Sequence, residues 1–262
     1  MTHRITFALQ KGGVGKSSST VAVASILAAT GSKVLVCDYD PQGNSTRMLT
    51  GNSIYKYSGA TIMEAIEEGN ADPYRVEINP NLDLIPAEDR LAVFSRYIYT
   101  SGINKPFAVL KRLLEPIESR YDYVFIDIGP SLGDTVVNAL VYTDSIVIPV
   151  DLGDLAMEGM IRFIEFVEQT VKEGHTDAAI EGILLTMRDG RVKSEREISE
   201  GIREMYGDLV FKTEISRRAR IKEIASKGID LNDASMIDYI SFTDELIGRL
   251  RRKGEKHEQK QK

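Results

Sequence analysis

Apolar residues recur along the chain in two rhythms. Short unbroken apolar runs alternate with longer stretches whose apolar positions repeat every three or four residues. Unbroken runs of four to six residues suit strands covered on both faces, and the three-to-four rhythm suits helices with one face on a core. The predicted strands are Ile5–Leu9, Val34–Cys37, Leu82–Ile85 (ended by Pro86), Tyr123–Ile126, Ser145–Val150 and Gly182–Thr186. A helix is predicted over Ser17–Thr30, with Val21, Ala24, Ile26 and Leu27 inward and Gly31 as its stop. Another is predicted over Phe107–Glu118, with Leu110, Leu113, Leu114 and Ile117 inward, and two more near 134–142 and 156–173. Residues 40–60, rich in Gly, Asn, Ser and Tyr, read as loop. This alternation predicts an α/β fold, a mostly parallel twisted sheet with helices on both faces. Ligands in such sheets bind beyond the carboxyl ends of the strands. No repeat or linker divides the chain, so 1–250 is expected to be a single domain and 251–262, RRKGEKHEQKQK, a charged disordered tail.

Composition narrows the function classes. The 262 residues are 42% hydrophobic and 27% charged, enough for one large α/β domain with a sizeable core. The net charge of −6 gives no general attraction for nucleic acid, so any DNA contact needs a local basic patch. Cys37, the only cysteine, excludes an intrachain disulfide and a cysteine-rich zinc or iron–sulfur site. The opening MTHRITFALQKGG lacks the basic-then-apolar pattern of a secretory leader, and no apolar run approaches the ~20 residues of a membrane span. A soluble, cytoplasmic protein is expected.

The chemistry begins at ALQKGGVGKSSST, residues 8–20. A phosphate-binding loop follows Gly-x-x-x-x-Gly-Lys-Ser/Thr between a strand and a helix. Gly15, Lys16 and Ser17 close that pattern in that context, while Gln10 stands where the first glycine belongs. Gly12, Gly13 and Gly15 allow successive N–H groups to turn inward on phosphate oxygens. Lys16 then neutralises the terminal phosphates and Ser17 ligates Mg²⁺. A second lysine, Lys11, has two open readings: a solvated loop residue, or a cation supplied to a second subunit. Asp127, after YVFI, ends a strand near the expected metal; by itself it is a Walker B carboxylate or a turn residue. Asp38 and Asp40 in DYDPQGNST have the same two readings, since a carboxylate near the γ-phosphate can orient or deprotonate a water.

Together these segments resemble the ParA/MinD group of deviant Walker A ATPases, P-loop NTPases of the SIMIBI type. KGGVGKSS (11–18) is similar to their signature loop, CDYDPQGN (37–44) to their switch I, and YVFIDIGPSLGD (123–134) to their Walker B and switch II. SIVIPVDLGDLAMEGM (145–160), GILLTMRDGR (182–191) and GDLVFKTEISRRAR (207–220) resemble the small ParA (Soj-like) chromosome and plasmid partition proteins. The resemblance runs to about residue 225 and weakens after it.

The resemblance implies ATP and Mg²⁺ as cofactors, with Lys11, Gly12, Gly13, Val14, Gly15, Lys16, Ser17 and Ser18 around the phosphates. Met187 and Ser216 lie in segments it places at the nucleotide. It implies that Lys11 reaches a partner subunit's ATP in a homodimer, that Asp40 positions the attacking water, and that Ser17, Asp127 and Asp38 form the metal site. Arg191 and Arg220 match arginines that bind double-stranded DNA without sequence preference, and a ParB-like protein is the implied partner. The implied setting is cytoplasmic and nucleoid-associated. Two departures stand out: the Walker B tail, which reads Asp127-Ile128-Gly129-Pro130 and so has the Ile128-Gly129 pair before Pro130, and Ser216 where proline is common.

Other classes are weighed on the same residues. The stretch 186–222 carries ten basic residues, with Asp189, Glu195, Glu197, Glu200 and Glu204 among them, so by composition it reads as a solvated, ion-paired face. A MinD-like membrane ATPase is the alternative. Residues 237–252 have an apolar period at Ile240, Leu246, Ile247 and Leu250, but Asp244 and Glu245 interrupt it, and a helix docked on the domain explains it more simply. No membrane contact is expected. A metabolic ligase shares this loop, yet no further substrate signature is present. The nitrogenase iron protein needs two cysteines and is excluded.

Overall fold

A computed structural model describes residues 2–153, 155–189, 191–217 and 232–260. Its strands are β1 (His3–Phe7), β2 (Val34–Tyr39), β3 (Val76–Asn79), β4 (Leu82–Ile85), β5 (Tyr123–Ile128), β6 (Ser145–Asp151) and β7 (Ala179–Thr186). They form one sheet in the order β3-β4-β2-β5-β1-β6-β7, parallel throughout except where β3 pairs antiparallel with β4. The α-helices are α1 (Lys16–Ala29), α2 (Asn44–Thr50), α3 (Ile62–Glu68), α4 (Phe94–Thr100), α5 (Val109–Glu118), α6 (Asp134–Tyr142), α7 (Ala156–Lys172), α8 (Lys193–Tyr206) and α9 (Ile237–Lys260).

Strand alternation sorts the core into two layers. Ile5, Phe7, Val34, Val36, Phe125, Val147 and Leu184 pack against α1 and α9. Leu35, Cys37, Val124, Ile126, Ile146 and Ile148 face α3, α5, α6 and α7 on the other side. The apolar face of α9 is Tyr239, Phe242, Leu246 and Leu250, all buried, with buried Met236 just before it. Phe242 meets Phe7 and Phe211 edge-on at 6.1 and 4.8 Å between centroids. Such pairs are each worth ~0.5–1.5 kcal/mol beyond area burial. The face predicted for this helix is therefore corrected: Leu246 and Leu250 are inward, whereas Ile240 is exposed. The α9 backbone stays helical through Lys260, past the predicted start of the tail, in a stretch rich in the helix formers Arg, Lys, Glu and Gln.

The predicted loop at 40–60 contains α2. Its sequence, NSTRMLT, buries only one apolar residue, Met48, so no hydrophobic period announces it. Left-handed glycines at both ends bound it instead, Gly43 (φ 57) and Gly51 (φ 65). A Cβ on Gly43 would lie 2.5 Å from Ile54 Cγ2 and 2.8 Å from the Ala87 carbonyl oxygen, so the entry to α2 is fixed tightly. Among the described residues no helix is long and apolar enough to cross a membrane.

Candidate active site

The chain leaves β1 in the middle of the sheet and turns through Gly13 (φ 78) and Gly15 (φ 88) into α1. Both glycines are left-handed, a conformation that costs other residues about 1–2 kcal/mol. The loop residues Gly12, Gly13, Gly15, Lys16, Ser17 and Ser18 line a cavity of about 500 Å³, closed by Asp40, Gln42, Pro130 and Met187. The N-terminus of α1 points its free N–H groups and positive dipole end at this space, which makes it an anion site. Val14 is fully buried, and its carbonyl accepts a hydrogen bond from Thr186 Oγ1 (2.9 Å), tying the loop to β7. Lys16 is buried and donates from Nζ to the Lys11 carbonyl at 2.7 Å. Burial lowers its pKa, against the opposing charges of Asp127 and Asp40.

Strand parity explains which carboxylates reach this cavity. Asp38 shares parity with Val36, Asp127 with Phe125, Asp151 with Val147 and Thr186 with Leu184, so all four emerge on the α1 face at the carboxyl ends of their strands. Register places Asp38 beside Asp127 and Asp151 beside Thr186. Asp38 and Asp127 are both fully buried. Burial, then the neighbouring Asp127 charge, pushes Asp38 well above the usual carboxylate range. Burial raises Asp127 to about 6, with Asp40 adding to it and the Ser45 and Ser17 hydroxyls opposing.

Helix α2 addresses both groups with successive hydroxyls. Thr46 donates from its backbone N and its Oγ1 to Asp38 Oδ2, each at 2.7 Å, and Asp38 Oδ1 accepts from the Asp40 N–H at 3.3 Å. Ser45 Oγ donates to Asp127 Oδ2 at 2.6 Å. Asp127 Oδ1 is buried without a hydrogen-bond partner. Such an orphaned anionic oxygen beside the Ser17 hydroxyl fits a divalent cation. Among the described residues no three acidic, His or Cys side chains converge on a metal, which suits Mg²⁺, an ion held by few protein ligands plus phosphates and water. Asp38 Oδ2 accepts two hydrogen bonds from Thr46 and Oδ1 one from Asp40, so of the three expected donors Asp127 and Ser17 fit the cation more directly than Asp38 does.

Two further placements bear on the chemistry. A Cβ on Gly129 would lie 3.3 Å from the Asp40 carboxylate, so a side chain there would crowd Asp40. Lys11 is not directed away from its own chain: Nζ pairs with Asp151 Oδ1 at 2.7 Å, with both side chains partly exposed. Sequence reasoning missed Asp151. Its signal was available, an acidic residue ending the apolar run SIVIPV, the same pattern that marks Asp127.

This geometry can be set beside known proteins. A family model described as an AAA domain matches residues 2–180. The sporulation initiation inhibitor protein Soj of Bacillus subtilis is 38% identical over 222 residues, covering 84% of this chain and 86% of Soj. The chain belongs to the ParA/Soj-type partition ATPases. Apo McdA from Cyanthece superposes with a TM-score of 0.84 at 25% identity, covering 95% of this chain and 100% of McdA. Cobyrinic acid a,c-diamide synthase from Mycobacterium smegmatis, with bound ATP analog and magnesium, gives 0.83 at 25% identity, covering 96% of each chain. The shared fold thus extends to this synthase, and the higher identity to Soj, not the fold, separates the partition ATPases from it.

Within this ParA/Soj-type framework the remaining predicted residues divide. Met187 lines the cavity and takes a left-handed backbone (φ 56). Ser216 lies in a bridge with Arg188, and its N–H donates to Asp238 Oδ2 at 3.0 Å, a bond that the common proline could not make. Arg191 has a side chain 91% exposed and clamps Asp189 two residues away. Arg220, with Arg218 and Lys222, lies outside the described residues. Five more basic residues of this stretch are held in pairs: Lys193–Glu197, Arg196–Glu200, Arg217–Glu195, and Arg188 and Arg203 both on Glu214.

Proposed function

We propose that this partition ATPase binds MgATP at the α1 loop, forms an ATP-dependent sandwich homodimer, and binds double-stranded DNA without sequence preference through Arg191 and Arg220. Slow hydrolysis, accelerated by a ParB-like partner, releases the dimer from a nucleoid-associated, cytoplasmic state. Lys16 holds the phosphates of its own subunit. Ser17 and Asp127 would hold Mg²⁺, which supplies charge neutralisation at the terminal phosphates. Asp40 positions the attacking water, a role worth ~10²–10⁴ in rate. Phosphoryl transfer is governed by placed charge, and a cation supplied in trans can contribute ~10³–10⁵.

The observation that carries this reading is Lys11, a second lysine directly before the cavity-lining Gly12, held by an ion pair with Asp151. A partly exposed pair of this kind contributes on the order of 1 kcal/mol, so a second subunit's phosphates can compete for the lysine. On the DNA side, two phosphate contacts per subunit give Z of about 4 and a log–log salt slope of about −3.6, so a fourfold rise in salt weakens binding ~150-fold. Single subunits would then bind too weakly, and dimerisation switches DNA binding through avidity. Against a MinD-like membrane role stands α9, whose apolar face is spent in the core.

The test is Lys11→Ala, with molar mass measured by light scattering with and without ATP. ATP binding by the monomer is retained and the ATP-driven dimer is lost. A variant that dimerises like wild type returns Lys11 to a solvated loop residue.

A further inference from the structure

We propose that Ser45 is a positioning residue for the metal site: it holds Asp127 Oδ2 so that Oδ1 is the oxygen presented to Mg²⁺. This rests on the MgATP reading above. Ser45 is completely buried, and its hydroxyl donates at 2.6 Å to a carboxylate 82 residues away. A buried hydroxyl needs a partner, and a nearby backbone carbonyl is the common local choice within a helix. Ser45 instead satisfies itself on Asp127, leaving Oδ1 of the same group buried without a hydrogen-bond partner. One oxygen is therefore taken by Ser45, and the other is left for a cation beside Ser17.

Ser45 is itself held in place. The first turn of α2 is fixed by the tight packing of Gly43 on Ile54 and the Ala87 carbonyl. The next residue, Thr46, donates to Asp38 and accepts at Oγ1 from the Ala87 N–H at 3.0 Å. Rigid support of this sort is what preorganises a metal ligand. Ser17 lines the nucleotide cavity and in the functional reading gives its hydroxyl to the metal, whereas Ser45 does not line the cavity. Ser45 is thus the hydroxyl that stays on Asp127 when nucleotide and metal arrive. It links switch I, which carries Asp40 and runs into α2, to the Walker B strand.

The test is Ser45→Ala, nearly isosteric, with binding of a non-hydrolysable ATP analogue followed by calorimetry during a Mg²⁺ titration and again in excess EDTA. The Mg²⁺ concentration for half-maximal enhancement of binding rises ~10–100-fold, the range for loss of a partner that orients a metal ligand. Metal-free affinity stays within about twofold of wild type. A Mg²⁺ half-point unchanged from wild type overturns the proposal. So does an equal fall in the Mg²⁺ and EDTA affinities, because Ser45 would then merely support the fold. If wild-type binding itself ignores Mg²⁺, the functional reading falls, an outcome visible before the variant is measured.

Discussion

At the carboxyl ends of β2 and β5, Asp38 and Asp127 lie side by side with no exposed surface, held by two hydroxyls and one N–H group from α2, with Asp127 Oδ1 left without a hydrogen-bond partner. On α8 the charges are as dense but stand in water: Lys193 pairs with Glu197 and Arg196 with Glu200, one helical turn apart. In the first region desolvation dominates, each hydrogen bond is specific, and the loss of one partner strands a buried charge. In the second, solvent and salt screen each pair, and the charges fix almost nothing about the structure. The difference shows where this protein can store energy for a ligand. The cavity face is built around charges that a cation–phosphate ligand would complete, and the α8 face carries charges that a polyanion can rearrange at little cost.

The sharpest break of that contrast is Lys16→Ala set against Lys193→Ala. Lys16 is a buried cation with its Nζ on the Lys11 carbonyl, facing the charges of Asp127 and Asp40. Removing it deletes a desolvated cation from the phosphate site, a change worth ~2–5 kcal/mol, so ATP binding weakens at least ~30-fold. Lys193→Ala, 90% exposed at its side chain, leaves ATP affinity unchanged. Calorimetry with ATP on both variants checks this. Equal losses would mean that the two regions do not differ as described.

A second prediction concerns the energetic strain of the carboxylate pair. Asp127 is raised from 3.8 to about 6 in the folded, metal-free protein. A raised folded pKa means that the folded state binds the proton more tightly than the unfolded chain. Its stabilising contribution is complete below 3.8 and is lost as the pH climbs through about 6. Asp127→Asn cannot ionise and keeps that contribution. The metal- and nucleotide-free variant is therefore more stable than wild type at pH 7.5, by something on the order of 1–3 kcal/mol, with the gap closing toward pH 4. Scanning calorimetry across pH measures it. A wild type at least as stable at pH 7.5 would show that the buried pair is not destabilising.

The same contrast governs what the sequence makes legible. The phosphate loop is readable because its conformation demands glycines and its chemistry demands a lysine and a hydroxyl at fixed spacing. Asp127 is readable because an acidic residue ending an unbroken apolar run stands out, and Asp151 carries that signal equally. Helix α2 is not readable, since its buried face is largely polar and is held by hydrogen bonds to carboxylates outside it, Asp38 on the preceding strand and Asp127, 82 residues from Ser45. The edge strand β3 and the short helices α3 and α4 are also missed by period. Yet α3 has a local cue in its capping box, Thr61 with Glu64. The pairing of Lys11 with Asp151 links residues 140 apart, and no spacing within either segment encodes it.

The smallest effect is the one that defines the solvated side. Glu197→Gln with Glu200→Gln removes both acidic partners of the exposed pairs on α8. Each i,i+4 pair contributes ~0.3–0.5 kcal/mol, so the double variant loses less than about 1 kcal/mol of stability. Its consequence lies elsewhere: Lys193 and Arg196 lose their intramolecular counter-charges next to Arg191. If this face meets DNA in the ATP-bound dimer, retention on nonspecific DNA at moderate salt increases several-fold, while ATP affinity is unchanged. Melting curves and DNA retention on the same preparation separate the two regions directly. A large drop in stability would place α8 with the buried cluster as a structural charge network. Unchanged DNA retention would locate the polyanion-binding surface away from α8.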